Sequence, residues 1–144
     1  MYLTQNFTLE ELTHSDLAIR LGIDNTPDQS AIDNLRRTAT LLEEVRSVLG
    51  RPIFINSGYR CKTLNYAVKS KDTSQHLLGC AADIRVPGMT PDEVISCLIT
   101  HNVPYDQLIR EFDSWTHISV PNGINDAPRK QVLIIDFKGT RVYP

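Results

Sequence analysis

The sequence predicts an α+β domain. One long amphipathic helix early in the chain is followed by short alternating segments of strand character, into which a well-capped helix is inserted. The chain has 144 residues, which fits a single domain over 1–144 and is long enough to bury a real core. Segregated runs of helix and strand favour a small antiparallel sheet with helices packed on one face.

The elements follow in order. Thr8 and Glu11 form a capping-box pattern that starts a short helix over about Leu9–Thr13. The turn formers Gly22-Ile23-Asp24-Asn25 come next, then Thr26 as cap and Pro27 as first helical residue of a long helix. Ile32, Leu35, Ala39, Leu42, Val45 and Leu49 recur at helical spacing, and Gly50 ends the run. Pro52 to Asn56 reads as a strand, Cys61 to Val68 as a helix and Ala81 to Val86 as a strand. Thr90-Pro91-Asp92-Glu93 opens a helix that reaches about His101. Gln107 to Phe112, Trp115 to Val120 and Gln131 to Phe137 complete the strands.

Composition excludes several classes. A net charge of -2 gives no electrostatic footprint for nucleic acid. No apolar run reaches the roughly 20 residues of a membrane span, so membrane insertion is not expected. The opening MYLTQNFTLEELTHSD lacks the basic and apolar regions of a secretory signal, so synthesis is expected in the cytoplasm. The odd cysteine count, Cys61, Cys80 and Cys97, points to free thiols rather than a disulfide framework.

Two strands carry chemistry. Ala82, Ile84 and Val86 share one face of their strand, which turns Asp83 to the other. Ile118 and Val120 likewise leave His117 and Ser119 on the opposite side. His76 precedes the first of these strands on a loop. Two imidazoles and a carboxylate suit zinc with a fourth position left open for catalysis. The helical His-Glu-x-x-His pattern is absent.

Three segments together, Ser57-Gly58-Tyr59-Arg60, Ser74-x-His76-x-x-Gly79-x-Ala81-x-Asp83 and Trp115-x-His117, resemble the zinc D-Ala-D-Ala carboxypeptidase family of metallopeptidases. That family, peptidase M15, includes the D-Ala-D-Ala dipeptidases of vancomycin resistance and the L-alanyl-D-glutamate endopeptidases of phage lysins. Asn6-Phe7-Thr8-Leu9-Glu10-Glu11-Leu12 and Gly22-Ile23-Asp24-Asn25 are similar to its small phage and prophage branch. The resemblance implies a fold like that of the DD-peptidases and the hedgehog signalling domain. It implies zinc held by His76, Asp83 and His117, and Arg60 gripping a substrate carboxylate or carbonyl with its planar fork of donors. Ser74, Gln75 and Trp115 are then candidates for substrate contact.

One position departs from the pattern. Many relatives carry an acidic base three residues before the last histidine, where this chain has Ser114. Glu111 and Asp113 are the candidates nearby, and both share the strand parity of His117. A three-residue loop of Asp113, Ser114 and Trp115 would pair Phe112 with Thr116 and set Glu111 opposite His117, which favours Glu111. A two-residue loop would set Arg110 there instead. Asp113 would then serve the turn.

The expected function is hydrolysis of peptide bonds in peptidoglycan stem peptides by a monomeric zinc enzyme, with endopeptidase action favoured over D-Ala-D-Ala carboxypeptidase action, in the manner of a phage or prophage lysin that reaches the cell wall after release. The alternative is a zinc-containing binding module of the same fold that has lost catalysis.

Overall fold

The computed structural model describes residues 1–144. Two short helices, α1 (Leu9–Thr13) and α2 (Asp16–Leu21), lead into the long α3 (Gln29–Leu49). Strand β1 (Phe54–Ser57) and helix α4 (Lys62–Ala67) precede a 3-10 turn at Gln75–Leu78. Then come β2 (Ala81–Arg85), α5 (Pro91–Thr100), β3 (Gln107–Glu111), β4 (Trp115–Ser119), β5 (Gln131–Asp136) and β6 (Gly139–Val142). The six strands form one sheet in the order β1-β2-β4-β3-β5-β6.

The α+β class is the one expected, with a refinement. Every strand pair is antiparallel except β3 with β5. After β4 the chain reverses, passes beyond β3 and docks on its far edge, so β5 runs with β3 and the sheet is mixed. The start of β3 anchors that crossing: the Gln131 N–H donates to the Asp106 carbonyl at 3.0 Å and the Arg129 N–H to the Asp106 carboxylate at 3.0 Å.

Local chemistry explains the helix ends. Both capping boxes form, at Thr8/Glu11 and Thr90/Glu93, with Pro91 in the first turn of α5. α3 begins later than Thr26 suggests. Asp24 accepts hydrogen bonds from the Thr26 N–H (3.0 Å) and hydroxyl (2.6 Å), so Thr26 belongs to the preceding turn, and Asp28 caps α3 through Ala31. α2 and β6, neither expected from sequence, are short elements of six and four residues.

The core lies on one face of the sheet. Ala82 and Ile84 of β2, Leu108 of β3 and Ile118 of β4 pack with Leu35, Leu42 and Val45 of α3 and with Val94, Ile95 and Leu98 of α5 in one cluster. Each large side chain so enclosed contributes about 1.5–3 kcal/mol relative to exposure. By strand alternation the opposite face presents Asp83, Ile109, Glu111, Trp115 and His117.

The β3–β4 hairpin corrects the expected register. Its three-residue loop is Phe112, Asp113 and Ser114, one residue earlier than anticipated, so Glu111 pairs with Trp115 and Ile109 stands opposite His117. The turn closes one residue early: the Ser114 N–H donates to the Glu111 carbonyl at 3.0 Å, which makes Glu111 the last paired residue of β3, while the Phe112 N–H points away to the Ile135 carbonyl of β5 at 2.9 Å. Phe112 and Asp113 both turn through positive φ, 53° and 52°. Because the shift moves Glu111 by a whole pair and not by half of one, it stays on the face of His117.

Candidate metal centre

β2 and β4 are adjacent, and Asp83 and His117 are direct cross-strand partners. Their side chains meet on the outer face, with His117 Nδ1 3.0 Å from Asp83 Oδ1. His76 arrives from the 3-10 turn that precedes β2, and its Nε2 lies 3.4 Å from the same carboxylate oxygen. One donor atom from each of His76, Asp83 and His117 falls within 4.8 Å of the others, and all three residues are buried.

His76 is aimed by its other nitrogen. Nδ1 lies 2.7 Å from the Gly58 carbonyl, so an Nδ1–H donating there leaves Nε2 to face Asp83 and, without its proton, to offer its lone pair to a metal. The Gly58 carbonyl is itself placed by close packing. A Cβ on Gly58 would stand 2.3 Å from the Leu12 carbonyl oxygen, so no other residue fits without moving backbone. The Tyr59 N–H donates to Leu12 (2.8 Å) and the Arg60 N–H to His76 (3.0 Å). Asn25 pins the same segment, donating to the Thr13 and Tyr59 carbonyls (2.9 and 3.0 Å) and accepting from the Cys61 N–H (2.8 Å). The chain enters this segment through a bulge between Ile55 and Ser57. Sequence reasoning left Gly58 and Asn25 without roles; the sole signal was their place in the quoted motifs.

Electrostatics set the charge state. Burial pushes the Asp83 carboxylate up, but the His76 charge and the hydrogen bonds of His117 and His76 outweigh it and hold the group far below the ordinary carboxylate range. Glu111 moves the other way: burial raises it, the Asp83 charge adds to the rise, and His117, the Trp115 N–H and Arg60 oppose. Its Oε1 lies 3.9 Å from His117 Nδ1. Burial pulls the Arg60 guanidinium down, against the pull of Asp83 and Glu111, and its Nε is enclosed without a partner.

The other expected residues fall around this cluster. Ser74 caps the 3-10 turn, its hydroxyl accepting from the His76 N–H at 3.3 Å. The Gln75 amide nitrogen points inward, within reach of Asp106 (3.1 Å), the Val120 carbonyl (2.9 Å) and Asn122 (2.8 Å). Trp115 lies half-buried in the same groove, its Nε1 enclosed without a well-aligned acceptor. Asp113 is not brought in: its side chain is 74% exposed and pairs with Arg110 Nε at 3.1 Å. His14 pairs with Asp16 on the surface, and His101 turns back on the Cys97 carbonyl at the end of α5. Cys61, Cys80 and Cys97 are free.

Arg60, His76, Asp83, Glu111, Trp115 and His117 all line one groove of about 1100 Å³. The donor set fits a divalent metal. Two imidazoles and a pre-ionised carboxylate converge, one imidazole is oriented by a backbone carbonyl, and a second carboxylate and a guanidinium flank the cluster without joining it. An α+β scaffold carrying such a cluster in a groove has the make-up of a metal-dependent hydrolase. The family model described as Peptidase M15 matches residues 5–119, and the chain belongs to that family of metallopeptidases. No curated protein matches the chain. No helix is long and apolar enough to cross a membrane.

Proposed function

We propose that this chain is a zinc peptidase that hydrolyses peptide bonds in peptidoglycan stem peptides, acting as an endopeptidase of the lysin type, with all 144 residues working as one catalytic domain. The observation that carries the reading is the joint placement of Glu111 and Arg60 beside the His76–Asp83–His117 cluster in one groove. A module that only bound metal would have no use for a half-buried carboxylate 3.9 Å from a ligand imidazole.

In this mechanism His76 through Nε2, Asp83 through its carboxylate and His117 through Nδ1 would hold the metal. Zinc there would supply Lewis-acid chemistry, polarising the scissile carbonyl and making water a competent nucleophile near neutral pH. Glu111 accepts the proton of the attacking water and returns it to the leaving amine. Its raised pKa suits both halves of that task, since the protonated form must be a usable acid. Arg60 lines the groove and donates to the substrate carbonyl or carboxylate oxygen through its planar fork of N–H groups. The His76–Gly58 hydrogen bond holds the ring in place while this happens.

Endopeptidase action is favoured because the groove is lined well beyond the cluster, by Lys69 and Lys71 ahead of the 3-10 turn and by Leu133 and Ile135 on β5. That leaves room for chain on either side of the cleaved bond. Mass spectrometry of purified peptidoglycan digested by the protein tests the proposal. New muropeptide ends from internal stem-peptide bonds, abolished by a chelator and restored by zinc, are expected. Loss of single terminal D-alanines alone would assign carboxypeptidase action, and no products from a zinc-loaded sample would leave a metal-binding module.

A further inference from the structure

The open face of the sheet changes character along one row of paired residues. In register across the strands stand Asp83 on β2, His117 on β4, Ile109 on β3, Leu133 on β5 and Val142 on β6. The row begins as the metal cluster and continues as pure hydrocarbon for three strands. The next row runs Trp115, Glu111, Ile135 and Thr140. At its end Phe112 stacks edge-on with Phe137, ring centres 5.2 Å apart, and sits 6.0 Å from Trp115.

Burial in the core explains only half of this hydrocarbon. Ile134 faces inward and is 2% exposed, and Val132 packs against the core cluster. Leu133 and Ile135 face outward and are only half-buried. Val142 is 78% exposed and Phe137 97%. Single exposed apolar residues need no explanation, but a contiguous strip running out from a ligand cluster does. β5 and β6 also lie outside the family match, which ends at residue 119.

We propose that Ile109, Leu133, Ile135 and Val142 form a specificity subsite that receives the apolar arm of the peptide substrate on one side of the cleaved bond. The proposal rests on the peptidase reading. What commits the strip to substrate is continuity: Ile109, Leu133 and Ile135 line the same groove as His76, Asp83 and His117, with no wall between them. Polarity sets the direction, because the groove's other end carries Lys69 and Lys71 and suits a polar or anionic arm. Three strand spacings from β4 to β6 span about 14 Å, more than an alanine methyl fills. Leucine in place of a terminal alanine is therefore a larger probe of the same contact and should bind more tightly.

The test uses the intact zinc-loaded protein and stem-type pentapeptides in which an alanine at one end is replaced by leucine or by serine. Trp115 is the sole tryptophan and lies in the groove, so its fluorescence reads binding without turnover. The leucine peptide of one of the two end series should bind about tenfold tighter than its serine counterpart. Leu133→Ser should reduce that preference to less than about twofold. Val142→Ser should halve it or more; that position is exposed and keeps the test intact should Leu133→Ser fail to fold. Equal affinities in both series, or a preference that survives Val142→Ser and a folded Leu133→Ser, would overturn the proposal. So would a dimer in sedimentation that Val142→Ser dissociates, since a second copy would then cover the strip, or quenching by glycan fragments that peptides fail to displace. Cleavage of the same peptides is scored separately. Preference without cleavage sinks the peptidase reading alone, and cleavage without preference sinks this one alone.

Discussion

Gln75 and His76 are neighbours in one 3-10 turn, yet they serve two different sites. His76 meets Asp83; Gln75 meets Asp106. Both aspartates are buried, and both are held below the ordinary carboxylate range against the pull of burial. Their partners differ. Asp106 faces the permanent cation of Arg129, with Nε at 3.0 Å, plus the Arg129 and Gln75 N–H groups. Asp83 faces two imidazoles, which can give up their protons and become metal ligands. A depressed carboxylate is therefore not in itself a functional mark; the chemistry of its partners decides. Both line the groove, but the Asp106 network fastens the crossing between β4 and β5, while the Asp83 cluster gathers the two imidazoles.

Substitutions should separate the two regions. The largest effect belongs to the groove. Glu111→Gln keeps shape and should lower peptide cleavage by about 10²–10⁴-fold, with zinc content and melting temperature unchanged. Asp113→Asn, in the exposed turn, should stay within about threefold of the parent. The reverse pattern in a kinetic assay would transfer the base to Asp113.

Gly58→Ala should come next. Its Cβ would collide with the Leu12 carbonyl and displace the acceptor that orients His76. Loss of such an orienting hydrogen bond costs about 10–100-fold in metal affinity. Competition with a fluorescent chelator measures it, and unchanged affinity would show that His76 needs no such support.

Asp106→Asn should do the opposite. It removes the charge facing Arg129 and should cost roughly 1–3 kcal/mol of stability, discounted because Arg129 is more than half exposed, without changing zinc affinity. Urea denaturation of the metal-free forms reads the loss.

The smallest effect is on pH dependence. Because the folded pKa of Asp106 is depressed, its stabilisation is complete above the unfolded value of about 3.9 and is lost as pH falls through the folded value. Asp83 carries the same sign. Metal-free parent protein should therefore lose stability below about pH 4, and Asp106→Asn should show a shallower acid limb. Equal slopes would mean that Asp106 titrates alike in both states.

The two regions also differ in what sequence alone discloses. Asp83 and His117 are readable because strand alternation sets them against Ala82, Ile84 and Ile118. His76 has no periodicity to betray it; only the motif around it does, since a 3-10 turn of four residues leaves no pattern. The Asp106–Gln75–Arg129 network was invisible, because its members are dispersed and their meeting depends on the parallel docking of β5. The β3–β4 register was likewise hidden, because it is set by a turn closed by the Ser114 N–H on the Glu111 carbonyl, which no residue pattern announces. The long helix and both capping boxes, whose signals are local, sit close to where the residue pattern puts them.

Zinc equilibrium dialysis of the parent, His76→Ala and Asp106→Asn proteins tests the division of labour most directly. The account predicts about one zinc per chain for the parent, the same for Asp106→Asn, and none retained by folded His76→Ala, since two remaining ligands make a poor site. A parent that takes up no zinc, or a His76→Ala protein that holds it as tightly as the parent, would contradict it.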